Sequence, residues 1–327
     1  MALDRRLFLL SAGAAVGGLQ LTGNAGAQSY PSHQVRLIVP FAAGGPTDVI
    51  ARIVAQKLPD AWSKHVYVEN LPAGASNVGT SIAAKSPPDG HTLLVVSGSL
   101  VVNPSLYAKI TWDPVRDFAP ISLIGASAHI LAVHPAFPAK TVQELAALVK
   151  ANPGKFSYAS PGAGTTGQLA GELFKLALGL DLLHVPFNGA NPALTSTIGG
   201  HTSILFAALP GVAPSIKDGN LRALAMTGAN RSQVLPDVPT MTESGFPNQE
   251  SIFPQGIVAP AWTPAEVVER WHAELVRIVA LPEVKDRLAA IGFEPVANKP
   301  EEFAAWIREE VPKWAKVIRE AKIARIE

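Results

Sequence analysis

The sequence predicts an α/β protein with a mostly parallel sheet and helices on both of its faces. Two observations carry this prediction. Short apolar runs of strand length alternate with segments of helical period, and glycine-rich turns join several of them. The composition agrees, since 48% of the 327 residues are hydrophobic and only 16% are charged, which is typical of a folded chain with a large core.

The first half of the sheet is predicted from three apolar runs. The first run, 35–41, leads through a glycine turn at 42–46 into a segment, 47–58, whose apolar residues recur at helical spacing. The other two runs predict strands at 66–70 and 92–96. The alternation of strand and helix favours parallel pairing in this region.

A second series of strands and helices begins near residue 130. Its first helix, 141–150, opens with a capping box formed by Thr141 and Glu144. The other predicted elements are strands at 130–133, 156–159, 182–187, 203–207 and 221–226, and helices at 168–175 and 192–198. A glycine-rich loop again lies between a strand and a helix, as in the first series.

The carboxy-terminal part is predicted to be helical. Thr263-Pro264-Ala265-Glu266 has the pattern of a second capping box, with proline at the first helical position. The segment 300–319 also has a helical pattern. Pro312 is expected to break or kink that helix, because proline lacks the backbone N–H.

Residues 1–27 have the features of an export signal. Arg5 and Arg6 precede an apolar run at 7–21, and the small-residue cleavage motif Ala25-Gly26-Ala27 follows. The order Arg-Arg-Leu-Phe-Leu is also similar to a twin-arginine signal, so both export routes stay open. A membrane anchor is disfavoured because the apolar run is short and ends in a cleavage motif. We therefore expect a cleaved leader and a periplasmic mature protein.

Charge balance and cysteine content narrow the function further. Without Asp4, Arg5 and Arg6 of the leader, the 27 basic and 26 acidic residues become 25 of each. This balance argues against nucleic acid or an anionic membrane as a partner. The chain contains no cysteine, which excludes disulfides, thiolate metal sites and cysteine nucleophiles. The eight histidines are scattered, and no metal site or cofactor is predicted.

The two glycine loops are the predicted binding elements. A helix N-terminus leaves backbone N–H groups unpaired and carries partial positive charge, and glycine lets an anion approach the backbone closely. Two such loops on separate lobes would hold the two ends of a small dianion, whereas the alternative is a pair of tight turns with no ligand. The predicted ligand contacts are Phe41, Ala43, Gly44, Gly45, Thr47, Asp48, Ser160, Gly162, Gly164, Thr165, Thr166, Phe187 and Asn188.

Some of these residues have more specific expected roles. Phe41 and Phe187 are candidates for apolar walls of the site. Asp48 lies in the first turn of its helix, where a carboxylate favours the helix dipole. Helix capping is therefore its expected role, and the alternative is that it accepts a hydrogen bond from an amino or ring N–H group of the ligand.

The second loop also fits a dinucleotide fingerprint. Gly162, Gly164 and Gly167 spell G-x-G-x-x-G between a predicted strand and a predicted helix. A dinucleotide site also needs an acidic residue at the end of the next strand, but that strand ends in Phe187 and Asn188. An NAD-dependent enzyme is therefore the third-ranked interpretation.

An exported α/β hydrolase is the second-ranked interpretation. It would use Ser160 or Thr165 as nucleophile beside an acidic residue. The chain contains no G-x-S-x-G elbow, no H-E-x-x-H motif and no G-K-[ST] phosphate loop. A non-catalytic binding protein ranks above it for this reason.

A series of motifs, in order along the chain, resembles the substrate-binding proteins of tripartite tricarboxylate transporters, also called the Bug family. The motifs cover nearly all of the mature chain: VRLIVPFAAGGPTDVIAR, PPDGHTLL, NPSLY, DFAPIS, SYASPGAGTTGQLAGELF, VPFNGANPALTSTIGG, LRALAMTGANRSQVLPDVPTMTESGFP and APAWTPAEVV.

The resemblance implies a periplasmic-binding-protein-like fold of type II, with two α/β lobes joined by crossing strands and a ligand cleft between them. By analogy, lobe one comprises 28–127 and 251–327, and lobe two comprises 128–250. The implied function is a monomeric receptor that closes around a small carboxylate and delivers it to integral membrane subunits. The loops at Phe41 and at 160–166 match the positions where family members contact their ligands.

The chain departs from the family pattern at several positions. Asn188 stands where lysine or arginine is common, and Ser196 where aspartate is common. The loop after Asn70 lacks the usual basic residue. A neutral Asn188 beside Phe187 favours a less charged or aromatic ligand, although dicarboxylates, tricarboxylates, amino acids and aromatic acids all stay open.

Overall fold

The computed structural model describes residues 30–59, 61–62, 64–187 and 189–327. The predicted export signal, 1–27, lies outside the described residues, and so does Asn188. Within the described part of the chain, no helix is both long and apolar enough to cross a bilayer.

Strands and helices alternate along most of the chain. The strands are β1 (Val35–Val39), β2 (Val66–Asn70), β3 (Thr92–Val96), β4 (Phe118–Val133), β5 (Phe156–Ser160), β6 (Leu182–Pro186), β7 (Ile204–Ala208), β8 (Arg222–Met226), β9 (Ile252–Pro260) and β10 (Glu294–Pro295). The helices are α1 (Pro46–Lys57), α2 (Asn77–Ala84), α3 (Ser99–Leu106), α4 (Val142–Ala151), α5 (Thr166–Leu178), α6 (Ala190–Ile198), α7 (Leu209–Lys217), α8 (Ala265–Ala280), α9 (Pro282–Ala290) and α10 (Pro300–Glu320).

The strands form a sheet in the order β2-β1-β3-β9-β4-β7-β5-β6, with β8 and β10 also pairing with β4. Parallel pairs lie at its two ends, β2-β1-β3 at one and β7-β5-β6 at the other. Between them, β9 and β4 run antiparallel to their neighbours. The chain thus builds two parallel α/β units and joins them through an antiparallel centre.

The long strand β4 belongs to both units. Residues up to Ala128 pair with β9, and from His129 onward the strand pairs with β7. Hydrophobic burial follows the same division. Val35 and Trp271 share a core on one side, while Val133 and Phe174 share a core on the other. Each parallel unit therefore has its own apolar interior.

Most predicted strand positions are confirmed within one or two residues, but the predicted capping box at Thr263 and the predicted break at Pro312 are wrong. The Thr263 hydroxyl does not cap α8 and instead donates to the Pro260 carbonyl oxygen at 2.8 Å, in a turn where Trp262 has a positive φ. Helix α10 runs through Pro312 without a break. Buried residues such as Phe303 and Trp314 pack α10 into the core on both sides of the proline. Tertiary packing thus overrides the local preference.

Candidate functional site

The two glycine loops lie at the carboxyl ends of parallel strands. The first, 40–45, joins β1 to α1, and the second, 161–165, joins β5 to α5. The carboxyl ends of parallel strands are where α/β proteins place their ligands. Both loops therefore lie where the strand order predicts a site.

Asp48 holds the first loop in place. Its Oδ2 accepts hydrogen bonds from the Gly44 N–H at 2.8 Å and from Arg52 Nε at 2.9 Å. Its Oδ1 accepts from Asn70 Nδ2 at 2.8 Å, and Asn70 also donates to the Phe41 carbonyl oxygen at 3.1 Å. One buried carboxylate thus fastens the loop to the first helix and to the end of β2.

The environment of Asp48 keeps this carboxylate charged. Burial raises the pKa of the Asp48 carboxyl, but hydrogen bonds from Arg52, Gly44 and Asn70 outweigh burial and lower it below its usual range. Both oxygens are engaged within the protein. The geometry is that of a loop support, and recognition of a ligand N–H by Asp48 stays an untested prediction.

Neutral groups hold the second loop in place. The Gly164 N–H donates to Gln168 Oε1 at 2.6 Å, and the Thr165 hydroxyl donates to the Gly162 carbonyl oxygen at 2.8 Å. Thr165 caps α5, since its oxygen accepts from the Gln168 N–H. The loop is therefore rigid without any charged side chain.

A cavity of about 190 Å³ lies between the two loops. Its lining consists of Phe41, Ala75, Ser97, Gly98, Ser99, Val102, Asn103, Leu106, Tyr107, Ala163, Gly164, Thr165, Thr166 and Phe253. None of these lining residues carries a charge. The walls combine apolar side chains with hydroxyl, amide and backbone groups.

The N-termini of three helices border this cavity, and so does the loop that leads to a fourth. Gly98 and Thr165, which line it, are the N-cap residues of α3 and α5. Ala75 directly precedes the N-cap of α2, and Phe41 lies in the loop that leads to α1. A helix N-terminus carries partial positive charge, even where its first N–H groups are bonded within the chain, as those of Asn77 and Leu100 are. The cavity therefore favours an anion although no cationic side chain lines it.

Contacts across the cavity are close. At Gly98 of α3, an added Cβ would lie 2.5 Å from the Thr166 methyl group of the second loop. At Gly164, an added Cβ would lie 2.0 Å from Cδ2 of Leu106. Glycine at these two positions lets the two halves of the protein approach each other around the cavity.

A buried histidine connects the second loop to the centre of the sheet. His129 lies where β4 changes partners from β9 to β7. Its Nε2 is 2.9 Å from the Thr166 hydroxyl, and its Nδ1 is 3.2 Å from the Ser251 carbonyl oxygen. Burial lowers the pKa of His129 to about 4, so the imidazole is neutral at pH 7.

Ser160 also contacts a histidine, but away from the cavity. Its Oγ is 2.7 Å from His184 Nε2 and 3.2 Å from the Gly162 carbonyl oxygen. The Ser160 side chain is fully buried and does not line the cavity. Burial also lowers the pKa of His184. The pair supports the base of the loop.

A larger groove of about 810 Å³ lies elsewhere, between α5 and α10. Its lining mixes acidic and basic residues, among them Glu250, Lys313 and Glu320, and comes from helix interiors and a surface loop. Neither strand ends nor helix N-termini meet there. The smaller cavity is therefore the better candidate for binding a small anion.

The structure separates the predicted contacts into two groups. Phe41, Gly164, Thr165 and Thr166 line the cavity. Phe187 packs against the core of the second half, Asn188 lies outside the described residues, and the remaining predicted contacts do not line the cavity. Ligand contact by any of them stays a prediction.

Sequence reasoning missed several lining residues. Ser97 and Ser99 directly follow β3, which ends beside β1 in the parallel sheet. The position of Ser97-Gly98-Ser99 at that strand end was the available signal. Asn103 and Phe253, by contrast, reach the cavity from α3 and from the antiparallel strand β9, and no local pattern marks them.

Comparison with known proteins agrees with this geometry. A family model described as tripartite tricarboxylate transporter family receptor matches residues 50–323. The chain belongs to this family. The predicted family resemblance is thereby confirmed, and receptors of this family are periplasmic solute-binding proteins.

Individual relatives are similar over almost the whole chain. Protein BugT of Bordetella pertussis is 34% identical over 90% of this chain and 91% of its own length. The solved structure of the periplasmic binding protein BugD is 33% identical, covers 91% of this chain and 100% of its own, and has a TM-score of 0.74. A Rhodopseudomonas palustris protein solved with adipate is 30% identical over 91% of this chain and 100% of its own, with a TM-score of 0.77. These structures confirm the predicted fold class.

Proposed function

We propose that this protein captures a small carboxylate between its two halves and delivers it to the membrane subunits of a tripartite transporter. One observation carries the proposal: the N-termini of α2, α3 and α5 and the first glycine loop border one uncharged cavity. Backbone dipoles and hydroxyl groups suit a carboxylate in such a place. The family membership supports the same role.

The cavity limits the size of the ligand. At about 190 Å³ the cavity is smaller than the roughly 300–1,000 Å³ typical of ligand pockets, which suits a short organic acid and not a dinucleotide. Phe41, Leu106 and Phe253 supply apolar surface for a carbon chain. The adipate bound to the similar Rhodopseudomonas palustris protein is a ligand of this kind.

The two halves act as lobes in this proposal. Lobe one comprises 28–127 and 251–327, and lobe two comprises 128–250. The partner change of β4 between Ala128 and His129 supports this boundary. Rotation about β4 and β9 would open the cavity, and closure would bring Gly98 against Thr166.

The cellular setting follows from the sequence and the family. The leader 1–27 would direct the chain to the periplasm, where the mature protein acts as a monomer. Export by the general or the twin-arginine route is compatible with the same function. The integral membrane subunits would receive the closed, ligand-bound form.

The protein acts without catalysis in this proposal. The hydrolase interpretation needs Ser160 or Thr165 as a nucleophile, but the Ser160 hydroxyl is buried beside His184 and the Thr165 proton is bound to the Gly162 carbonyl oxygen. Neither hydroxyl group is therefore available as an activated nucleophile for a substrate in the cavity. Among the described residues, no acidic side chain is hydrogen-bonded to Nδ1 of His184, the second ring nitrogen.

Thermal melting of the mature protein tests the proposal. The protein is unfolded and refolded to remove bound ligand, then melted with aliphatic and aromatic mono-, di- and tricarboxylates and with NAD. A ligand at 100 times its Kd adds about 2.7 kcal/mol to the stability of the folded state. A shift with one carboxylate class supports the proposal, whereas a shift with NAD alone, or none at all, contradicts it.

A matched pair of variants ties that shift to the cavity. Gly98→Ala places a methyl group 2.5 Å from the Thr166 methyl group at a residue with ordinary helical φ. Gly211→Ala, in α7, adds a methyl group that makes only an ordinary 3.7 Å contact with Ala190 of α6. We expect Gly98→Ala to reduce the carboxylate-induced shift and Gly211→Ala to keep it. Equal shifts would place the ligand elsewhere.

A further inference from the structure

The contacts of His129 determine which way its hydrogen bonds run. Nδ1 lies 3.2 Å from the Ser251 carbonyl oxygen and 3.2 Å from the Ser251 hydroxyl. A carbonyl oxygen only accepts hydrogen bonds, whereas a hydroxyl accepts or donates. A proton on Nδ1 therefore suits both neighbours. A bare Nδ1 would instead place its lone pair against a lone pair of the Ser251 carbonyl oxygen.

The surrounding hydrogen bonds hold the Ser251 carbonyl in this position. Thr227 donates its hydroxyl proton to the Ser251 carbonyl oxygen at 2.5 Å and accepts from the His129 backbone N–H at 3.0 Å. The Ser251 N–H donates in turn to the Thr227 carbonyl oxygen. The groups that contact the His129 ring through these bonds are neutral. The hydrogen bond to the Ser251 carbonyl oxygen raises the pKa of His129, but burial outweighs it and keeps the ring neutral.

A neutral imidazole with its proton on Nδ1 has a bare Nε2. That nitrogen lies 2.9 Å from the Thr166 hydroxyl oxygen. Thr166 must then donate its single hydroxyl proton to His129. The Thr166 oxygen then offers only lone pairs to a ligand. Thr166 lines the cavity.

We infer that His129 makes the Thr166 hydroxyl an obligate acceptor, so that the preferred ligand is a carboxylate bearing a hydrogen-bond donor, such as a hydroxyl or ammonium group. This inference rests on the proposed function and specifies its ligand class. The carboxylate ends lie toward the helix N-termini, and the donor group lies against Thr166. A plain dicarboxylate leaves the Thr166 lone pairs unpaired in the closed cavity.

The direction of the His129 hydrogen bond is testable without any ligand. Long-range ¹H–¹⁵N NMR spectra of the histidine rings distinguish a protonated from a bare ring nitrogen, and the signals of His129 are assigned by their loss in His129→Gln. We expect a protonated Nδ1 and a bare Nε2 at pH 7. A protonated Nε2 would overturn the inference, because Thr166 would then be free to donate to a carboxylate.

Pairs of acids that differ by one group test the ligand class. Calorimetry compares succinate with malate and aspartate, and glutarate with both enantiomers of 2-hydroxyglutarate. The wild type should prefer a donor-bearing member by about 5- to 100-fold, the range expected when a buried polar group loses its partner. Thr166→Val should abolish the preference and Thr166→Ser should keep it.

Thr165→Val is the matched control, since its hydroxyl proton is bound to the Gly162 carbonyl oxygen. It should weaken both members of a pair equally by loosening the loop. The inference would be overturned if the wild type bound both acids of a pair with equal affinity, or if Thr166→Val weakened the binding of both acids equally. Either result would leave the receptor function standing. Binding of no acid would overturn the receptor function and the ligand class together, and the ring spectra would still decide the direction of the hydrogen bond.

Discussion

The two glycine loops use the same backbone device with different chemistry. Gly44 has φ +83° and donates its N–H to the side chain of Asp48, and Gly164 has φ +76° and donates its N–H to the side chain of Gln168. In both loops the acceptor lies four residues after the glycine. The acceptor is a charged carboxylate in the first loop and a neutral amide in the second.

The residues that surround these acceptors and hold the loops differ as well. Arg52 and Asn70 surround the carboxylate of the first loop, whereas neutral His129 holds the second loop through Thr166. One binding geometry can thus be stabilised either by a compensated charge or by neutral hydrogen bonds. Three predictions follow from this contrast.

Acid should remove the stability contributed by the two loops in different pH ranges, and this is the largest change in stability that we expect. The pKa of His129 is about 4 in the folded protein and 6.5 when unperturbed, so the unfolded chain binds its proton first. The stability that neutral His129 contributes is therefore lost as the pH falls from 6.5 to 4, by about 3 kcal/mol. Asp48 behaves differently: its folded pKa lies below 3.8, so its contribution is lost only as the pH falls below that value.

Urea unfolding between pH 7 and pH 3 measures this difference. His129→Gln should flatten the slope between pH 6.5 and 4, and Asp48→Asn should flatten only the slope below about 4. A His129→Gln profile parallel to that of the wild type would show that the second loop is not supported by a neutral imidazole.

Removal of each acceptor should have the next largest effect. Asp48→Ala leaves the Gly44 and Asn70 donors without their acceptor and should cost about 2 kcal/mol of stability. Gln168→Ala leaves only the Gly164 donor and should cost about 1 kcal/mol.

Urea unfolding at pH 7 checks these two values. Asp237→Ala is the control, because the Asp237 side chain is exposed and makes no hydrogen bond to another described residue. It should change the stability by less than about 0.5 kcal/mol. Equal losses for Asp48→Ala and Gln168→Ala would mean that charge adds nothing to the first loop.

A matched pair of glycine substitutions gives the smallest expected effect on stability. Gly44→Ala and Gly164→Ala each place alanine in the left-handed region, which costs about 1 kcal/mol. They differ in space, since an added Cβ meets no atom within 4 Å at Gly44 and meets Leu106 at Gly164. Only Gly164→Ala should obstruct closure and weaken ligand binding, by about tenfold or more.

Calorimetry with the carboxylate that best stabilises the wild type checks this last prediction. A tenfold loss corresponds to about 1.4 kcal/mol of binding free energy. If Gly44→Ala weakens binding as much as Gly164→Ala, backbone strain in either loop decides affinity and the contact with Leu106 does not.

Much of the fold could be predicted because it depends on neighbours in the chain. The strands 66–70 and 92–96 were predicted with their observed bounds, and the helix after the first loop within one residue. These segments have a clear apolar period and flanking turn residues. Strand β4 was predicted only from residue 130, because its first part, with Pro120 and glycine and serine residues, has no regular alternation.

The candidate site was predictable only where its residues belong to a local motif. The two glycine loops are recognisable from spacing, and Phe41, Gly164, Thr165 and Thr166 line the cavity. Asn103 and Phe253 contact the same cavity from elements that are far from these four residues in the chain, so no local spacing marks them.

The α/β alternation, the positions of the two loops and the family motifs could be read from the sequence alone. Each of these features depends on residues that are close together in the chain. The tertiary structure alone places the Asp48 carboxylate against the Gly44 N–H and His129 Nε2 2.9 Å from the Thr166 hydroxyl. It also brings three helix N-termini and the first glycine loop to one cavity. Those features depend on which strands become neighbours. Strand pairing brings together residues such as His129 and Ser251, which are 122 positions apart, and no local period records that partnership.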